Sequence, residues 1–552
     1  MTLSNDSAVF PSTGAVLAGG SGVLRRGLIP ALLVLAAVQF WLVAWLSDDA
    51  MITLRQVERF TAGEGMVWNP GQRVQSFTHA AWFGILSAGT ALSRPFHPEA
   101  MYYWTLLASA LCWGGALTLW ARLVIARGWS LGSTALVMVL PLLPLAIRDY
   151  TSSGLETPLS FLLAMGIVQA RGTLLWTLMA VALLTRMDHA VQFGPLALWL
   201  LATRDFRWRE LAPGTALLIG WTVFSLFYFG APLPNTYYAK AGAGVPLDER
   251  LFAYLVYWGD AFEHLPVTLI ALIGGVAVAL IQGGSRERAL AVGIVLHLAY
   301  LAWIGGDFMR GRFLAVDTLL AMALAAKVIA PRAGTAGAAL MLVLSAGLTQ
   351  PWSAPLPDQR VPLRFITDER LLYAGPWGLR SPLRSWPEFH PAGPEPRDVM
   401  ATCGLAGSAR LRQPDSVHIA DSCGLTDPFL ARLPALQTRK FRPGHLRRAI
   451  PVNYAAMILD GAEAPHPALQ ALWEDVQLVS RGPLTAPGRL AAIWRLQTYD
   501  YELPMEALER GAAFVELPFA TWLTPDPAVF WIWPEAYGPA FPPLRFRDLS
   551  ER

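Results

Sequence analysis

The chain is 552 residues long; 54% of them are hydrophobic, 15% are charged and 22 are tryptophan. This balance excludes an ordinary soluble domain, and a formal net charge of +3 is too small to indicate a nucleic-acid partner. Three cysteines exclude a disulfide-rich scaffold and any zinc-ribbon spacing.

Residues 1–27 read as a cytoplasmic N-terminal tail, with Asp6 and no basic cluster before Arg25 and Arg26. No small-residue cleavage site follows the first apolar run, so the run is expected to stay as an anchor. It extends from Leu28 to Leu46, long enough to cross a bilayer, with the two arginines holding its start inside the cell. Asp48 and Asp49 follow at once. Carboxylates at the mouth of a span are costly to hold near lipid, which makes them functional candidates.

Further apolar segments lie at 101–121, 131–147, 157–170, 172–185, 190–203, 211–229, 264–282, 289–304, 312–330 and 333–349. The segment 79–93, with Trp82 and Phe83, either spans or lies in the interface. Charge decides between the two. If the segment is interfacial, Arg122 and Arg127, Arg171, Arg204 to Arg209, Arg286 and Arg288, and Lys327 and Arg332 all fall in cytoplasmic loops. The expected fold is a polytopic α-helical membrane protein with about 11 transmembrane helices over 28–349, its N-terminus inside and an outer loop at 47–100. That topology collects the polar clusters on one face: Asp48–Asp49, Arg148 through Glu156, Arg186 to His189, Asn235 to Lys240, and Gly305 to Arg312.

From about residue 350 the composition changes to short apolar runs punctuated by Pro and Gly. Residues 350–552 read as an extracytoplasmic α/β domain, with Val417–Ala420 and Leu490–Trp494 as strands. Cys403 and Cys423 lie there and can pair if that part is outside the cytoplasm, whereas Cys112 falls in an apolar span and reads as packing.

Several blocks together resemble one family. Asp48-Asp49-Ala50-Met51-Ile52, Gly65, Trp68-Asn69-Pro70-Gly71 and Phe77-Thr78 resemble the first outer loop of the AftB-like branch of GT-C membrane glycosyltransferases (terminal arabinofuranosyltransferase-like). Ser153 to Thr157, Gly305 to Met309, Arg312-Phe313, Asp421, Gly424 to Pro428, Ala431-Arg432, Pro443-Gly444-His445 and Tyr454 resemble further blocks of it. The resemblance implies a GT-C fold and an inverting transferase on the outer face. Its donor would be a polyprenyl-phosphate-linked sugar, arabinofuranose in the mycobacterial members, and its acceptor a cell-envelope glycan.

Such chemistry needs a carboxylate to take the acceptor proton and cations to meet the leaving phosphate. Asp48 and Asp49 are adjacent and point in different directions, so one is expected as the base and the other as a cap or partner. An acidic pair can also bind Mg²⁺ or Mn²⁺, or work without metal. Glu156 is either a helix-start charge or a second site carboxylate, and Arg186, Asp188 and His189 read as an ion pair or a substrate contact. Tyr237, Tyr238 and Lys240 suit a phosphate or sugar ring; Asp307, Arg310 and Arg312 suit phosphate capture, with Arg55 and His79 as weaker candidates. Asp427, Arg432 and His445 are acceptor-side candidates, against a buried Asp–Arg pair and a structural His. There is no Gly-rich nucleotide loop, which fits a lipid-linked donor. A transporter would need charges or broken helices at mid-membrane, and a non-catalytic scaffold for envelope or flagellar assembly would tolerate loss of the aspartates.

Overall fold

The computed structural model describes residues 20–348 except 98 and 242, and then 366–386, 398–403, 406–407, 416–436, 443–499, 501, 503, 514–515 and 520–523. Most of the expected N-terminal tail, including Asp6, lies outside the described residues. The first helices are α1 (Gly20–Val43), α2 (Asp48–Thr61), α3 (Ala80–Ser93), α4 (Ala100–Ile125), α5 (Leu131–Met138), α6 (Leu145–Asp149), α7 (Thr157–Gln169) and α8 (Gly172–Thr185). They are followed by α9 (His189–Thr203), α10 (Trp208–Tyr228), α11 (Asn235–Lys240), α12 (Leu247–His264), α13 (Pro266–Gln282), α14 (Ser285–Ile304), α15 (Arg312–Val328) and α16 (Pro331–Leu348).

Among the described residues α4, α10 and α14 are each long and apolar enough to cross a membrane, and α12 with α13 qualifies as a pair bent by 108°. The apolar stretch of α1, Gly27–Val43, and the helices α3, α7 and α8 are shorter. At 14 residues α3 reaches about 21 Å, less than a hydrocarbon core, as do α7 and α8 at 13 and 14 residues. The run 131–147 is not one helix: Pro141 and Pro144 divide it into α5, a 3₁₀ turn at Leu140–Leu142 and α6. The centre of the bundle is α15, buried almost throughout from Leu314 to Ala326 and packed on α13, α7, α6 and α4. Helix α12, all but its last residue, falls outside the expected spans, because its charged residues dilute the apolar signal.

At the mouth of this bundle lies α2. Ser47 caps it, its hydroxyl accepting the Ala50 N–H at 3.2 Å, and Asp48 and Asp49 occupy the first turn where the helix dipole favours anions. The rest of α2 is mostly buried.

The C-terminal part begins with α17 (Glu369–Trp377) and continues through β1 (Asp398–Thr402), β2 (Val417–Asp421), β3 (Ile450–Pro451), α18 (Tyr454–Leu459), α19 (Pro467–Ser480), α20 (Arg489–Thr498), β4 (Phe514–Val515) and β5 (Ala520–Leu523). The sheet order is β2-β1-β5, with β1 parallel to β2 and antiparallel to β5; β3 and β4 form a separate antiparallel pair. Val417–Ala420 is a strand as expected. Leu490–Trp494 is not: it belongs to α20. Arg489, Ala492, Ile493 and Leu496 form its buried face at helical spacing, while Leu490 and Trp494 point outward. Cys403 and Cys423 are disulfide-bonded at the ends of β1 and β2, with Cα atoms 5.0 Å apart.

Two asparagines fasten this domain to the membrane part. Asn69, fully buried, accepts the Ile419 N–H at 3.1 Å and donates to the Ile419 carbonyl at 3.0 Å, so its amide completes the open edge of β2 as a neighbouring strand would. Around it Ile52, Trp68 and Val74 pack against Met400, Val417 and Ile419. Asn235, at the start of α11, donates to the carbonyls of Gly424, Leu425 and Asp427. Asn69→Ala leaves both Ile419 backbone groups buried without their partner. We expect a loss of about 2–4 kcal/mol, read as a lower denaturation midpoint of the purified protein.

Candidate functional site

Three segments converge beside Asp48 and Asp49: α11, the α14–α15 loop and the loop carrying His445. The α14–α15 loop turns on Gly305 and Gly306, both at positive φ (87° and 78°), a conformation that glycine adopts without strain. This turn places Asp307 under Arg312, whose Nε lies 2.8 Å from Asp307 Oδ2. The same guanidinium reaches Asp49, Nη1 to Oδ2 at 3.3 Å, so Arg312 sits between the two carboxylates.

The adjacent aspartates have different surroundings. Asp48 is buried, and its Oδ2 accepts the Gly407 N–H of the C-terminal domain at 3.2 Å. A Cβ on Gly407 would lie 2.1 Å from the Asp48 carbonyl oxygen, so a larger residue would displace this contact. Asp49 has a side chain 32% exposed and faces the cleft.

Across the cleft stands Lys240. Its side chain is solvent-accessible, and among the described residues it makes no hydrogen bond or ion pair. Although the residue keeps exposed surface, the protein crowded around its ammonium and the nearby Arg312 lower its pKa, while Asp49 and Asp307 pull it back up. Burial raises the Asp307 carboxyl, against Arg312 and Lys240. A Cβ at Gly444 would come within 3.7 Å of Lys240 Nζ and 3.4 Å of Phe308, and the His445 ring packs edge-on against Phe308 at 4.5 Å. Of the three acceptor-side candidates, His445 is therefore the one at the cleft.

Behind the cleft runs a buried chain of charges. His79 holds Thr53 of α2 at 2.8 Å and approaches Glu156 Oε2 at 3.2 Å; Glu156 Oε1 accepts from Arg186 at 3.2 Å. Arg186 also grips Asp188 with two donors, the Nε bond being 3.0 Å. Asp188 meets His297 Nε2 at 3.2 Å, and His297 Nδ1 meets Asp317 at 2.7 Å; Gln192 donates to Asp317. His189 turns aside to Ser160 at 2.9 Å. Burial pushes the Glu156 carboxyl up, but His79, Arg186 and Arg312 outweigh it and leave the pKa at about 2. Asp188 is held well below the usual range, burial being overcome by Arg186 and His297.

A carboxyl depressed in the folded state adds stability above its ordinary pKa and loses it as pH falls through the folded value. For Glu156, from 4.5 to about 2, the loss amounts to about 3 kcal/mol. The thermal midpoint in detergent is expected to fall steeply between those two pH values. Glu156→Gln should start lower at neutral pH and flatten the profile.

Other candidates have structural occupations. Arg310 does not join Arg312: it is bidentate to Asp260 of α12, both bonds 2.9 Å, and bonds Asp368 at 3.0 Å, pinning α17 to the bundle. Arg55 pairs with Glu58 one turn along α2. Asp427 accepts the N–H groups of Phe429 and Leu430 and the Tyr454 hydroxyl, and burial raises its pKa to about 6. Arg432 donates to the Pro428 carbonyl at 2.6 Å and lies 5.0 Å over the Tyr238 ring; the Tyr238 hydroxyl donates to Gln497. Tyr237 is exposed. Asp427 and Arg432 do not form the buried pair expected of them: each is held by its own local partners.

His297 and Asp317 were not singled out in the sequence, although an intramembrane His and Asp are the signal to look for. They correct the expectation that polar groups cluster only at one end. Both are engaged by neighbours, so they root the mouth cluster in the bundle. For a divalent cation the donor set does not fit: Arg312 bridges Asp49 and Asp307, and among the described residues no group of three or more His, Cys, Asp or Glu is placed to hold a metal.

The sequence is 28% identical over 415 residues to the terminal beta-(1->2)-arabinofuranosyltransferase of Mycobacterium tuberculosis, covering 62% of this chain and 64% of that protein. It is 26% identical over 334 residues to the protein of the same name in Corynebacterium glutamicum, covering 50% and 46%. The chain is AftB-like. The match spans less than two thirds of each relative's length. No family model matches, and no solved structure matches. In this AftB-like chain the blocks that carried the resemblance have separate tasks: Asn69 docks the C-terminal domain, Asp307 and Arg312 build the cleft, and the Gly424–Asp427 loop receives Asn235.

Proposed function

We propose that this chain is an inverting membrane glycosyltransferase of the GT-C type, moving arabinofuranose from a polyprenyl-phosphate donor to a cell-envelope glycan. About 11 spans, a cytoplasmic N-terminus and an extracytoplasmic C-terminal domain would place the cleft on the outer face. The observation that carries the reading is the pairing, in one cleft, of a partly exposed carboxylate at Asp49 with a cation at Lys240 that makes no hydrogen bond or ion pair among the described residues. The names of the two relatives supply the sugar.

In this scheme Asp49 takes the proton of the acceptor hydroxyl as that oxygen bonds to the anomeric carbon. The bond from that carbon to the phosphate oxygen breaks, and its electron pair leaves with the phosphate. Lys240 and Arg312 meet the charge. Arg312 also orients Asp49. Asp48 holds Gly407 and hence the domain wall of the cleft. His445, on the domain side, is placed for the acceptor.

Lys240→Ala should lower kcat/KM for the lipid donor about 10- to 100-fold, the value of one charge-assisted hydrogen bond, with Lys240→Arg recovering part of it. Steady-state kinetics against donor concentration reads this. An unchanged kcat/KM would remove Lys240 from the phosphate and with it the support for a phosphate-linked donor.

A further inference from the structure

The C-terminal domain exposes one apolar face that nothing in the described structure covers. From Gly482 to Trp494 the only charged residue is Arg489. That side chain is 2% exposed, its guanidinium spent on the carbonyls of Phe227 at 2.8 Å, Tyr228 at 3.2 Å and Val479 at 3.2 Å. Phe227 and Tyr228 are at the C-terminal end of α10, where Arg489 satisfies carbonyls that the helix leaves open. The next residue, Leu490, is 79% exposed, and Trp494, one turn on, is 70% exposed.

Helix α10 shows the same pattern below. It is long and apolar enough to span, very little of it is buried, and Val223 (60% exposed) and Phe227 (50%) lie one turn apart near its end. A helix of this kind meets lipid along its open side. Arg489 ties the start of α20 to the end of that span, so the lipid-facing surface continues from α10 onto Leu490 and Trp494.

We propose that this face of α20 is a membrane-contact surface, seated in the interfacial lipid at the C-terminal end of α10. A tryptophan with an apolar neighbour one turn away suits the headgroup level, where an amphipathic ring is favoured. The uncharged approach from Gly482 to Gly488 lets the chain lie against the interface without burying an ion. The contact would hold the domain at a fixed tilt over the cleft, independently of what the cleft transfers.

The test uses the full chain in nanodiscs, in a Cys112→Ala background so that the paired Cys403 and Cys423 leave one reactive thiol. An environment-sensitive fluorophore is attached at Trp494→Cys, at Leu490→Cys, or at Ala471→Cys on the exposed side of α19. Phosphatidylcholine carrying a nitroxide near the headgroup should quench the labels at 490 and 494 and shift their emission to the blue, leaving the label at 471 unchanged. Labels at 490 and 494 that lipid nitroxide leaves unquenched would overturn the proposal, whether they face water or are covered by another part of the chain or a second copy. The use of two sites guards against one substitution disturbing α20.

Discussion

Asp49→Asn is expected to lower kcat by about 10²–10⁴, the usual contribution of a positioned general base, with the KM for the lipid donor little changed. The amide keeps the size of the side chain and an oxygen for Arg312, so the cleft should persist without its proton acceptor. Asp48→Asn is the informative companion. Its side chain is buried and accepts a backbone N–H from Gly407, a bond that an amide oxygen can still accept. Asp48→Asn should therefore retain most turnover and reveal its damage, if any, in domain docking. If the two variants exchanged phenotypes, the assignment of base and anchor would be reversed.

The largest stability effect is expected at Arg186. This side chain is buried and holds Glu156 with one donor and Asp188 with two. Arg186→Met removes the guanidinium that two buried carboxylates share, leaving His79 beside Glu156 and His297 beside Asp188, and breaking a buried ion pair from one side costs about 3–5 kcal/mol. A marked fall in the thermal midpoint of detergent-purified protein checks it. Arg186→Lys should restore little, because a point charge cannot reproduce the fork that spans both acids. Combining Arg186→Met with Asp188→Asn should recover part of the loss, since one orphaned charge then disappears.

How much of this was legible in the sequence depends on which physical signal each residue leaves. Asp48 and Asp49 were legible because an apolar run ended immediately before them, and the Gly305–Gly306–Asp307 turn because its glycines stand between an apolar run and a cluster of charges. The division of labour between the two aspartates was not, since it rests on Gly407, which approaches from a domain 359 residues away. Arg310 and Arg312 look alike in sequence; only Asp260 and Asp368 separate them, one on α12 and one just before α17. His297 and Asp317 were hidden by averaging, because single polar residues barely lower the hydropathy of a long apolar run. Leu490–Trp494 read as a strand because a short apolar run carries no period of its own; the flanking Arg489 and Leu496 complete the helical face.

The most direct test of the central claim is transfer itself. Purified protein, reconstituted in lipid, is given synthetic polyprenyl-phosphate arabinofuranose with labelled sugar and an arabinan oligosaccharide acceptor, alongside Asp49→Asn. Label is expected to move to the acceptor with polyprenyl phosphate released in step with it, and the folded variant to do neither above background. Equal transfer by Asp49→Asn, or no transfer by protein of proven fold, would contradict it.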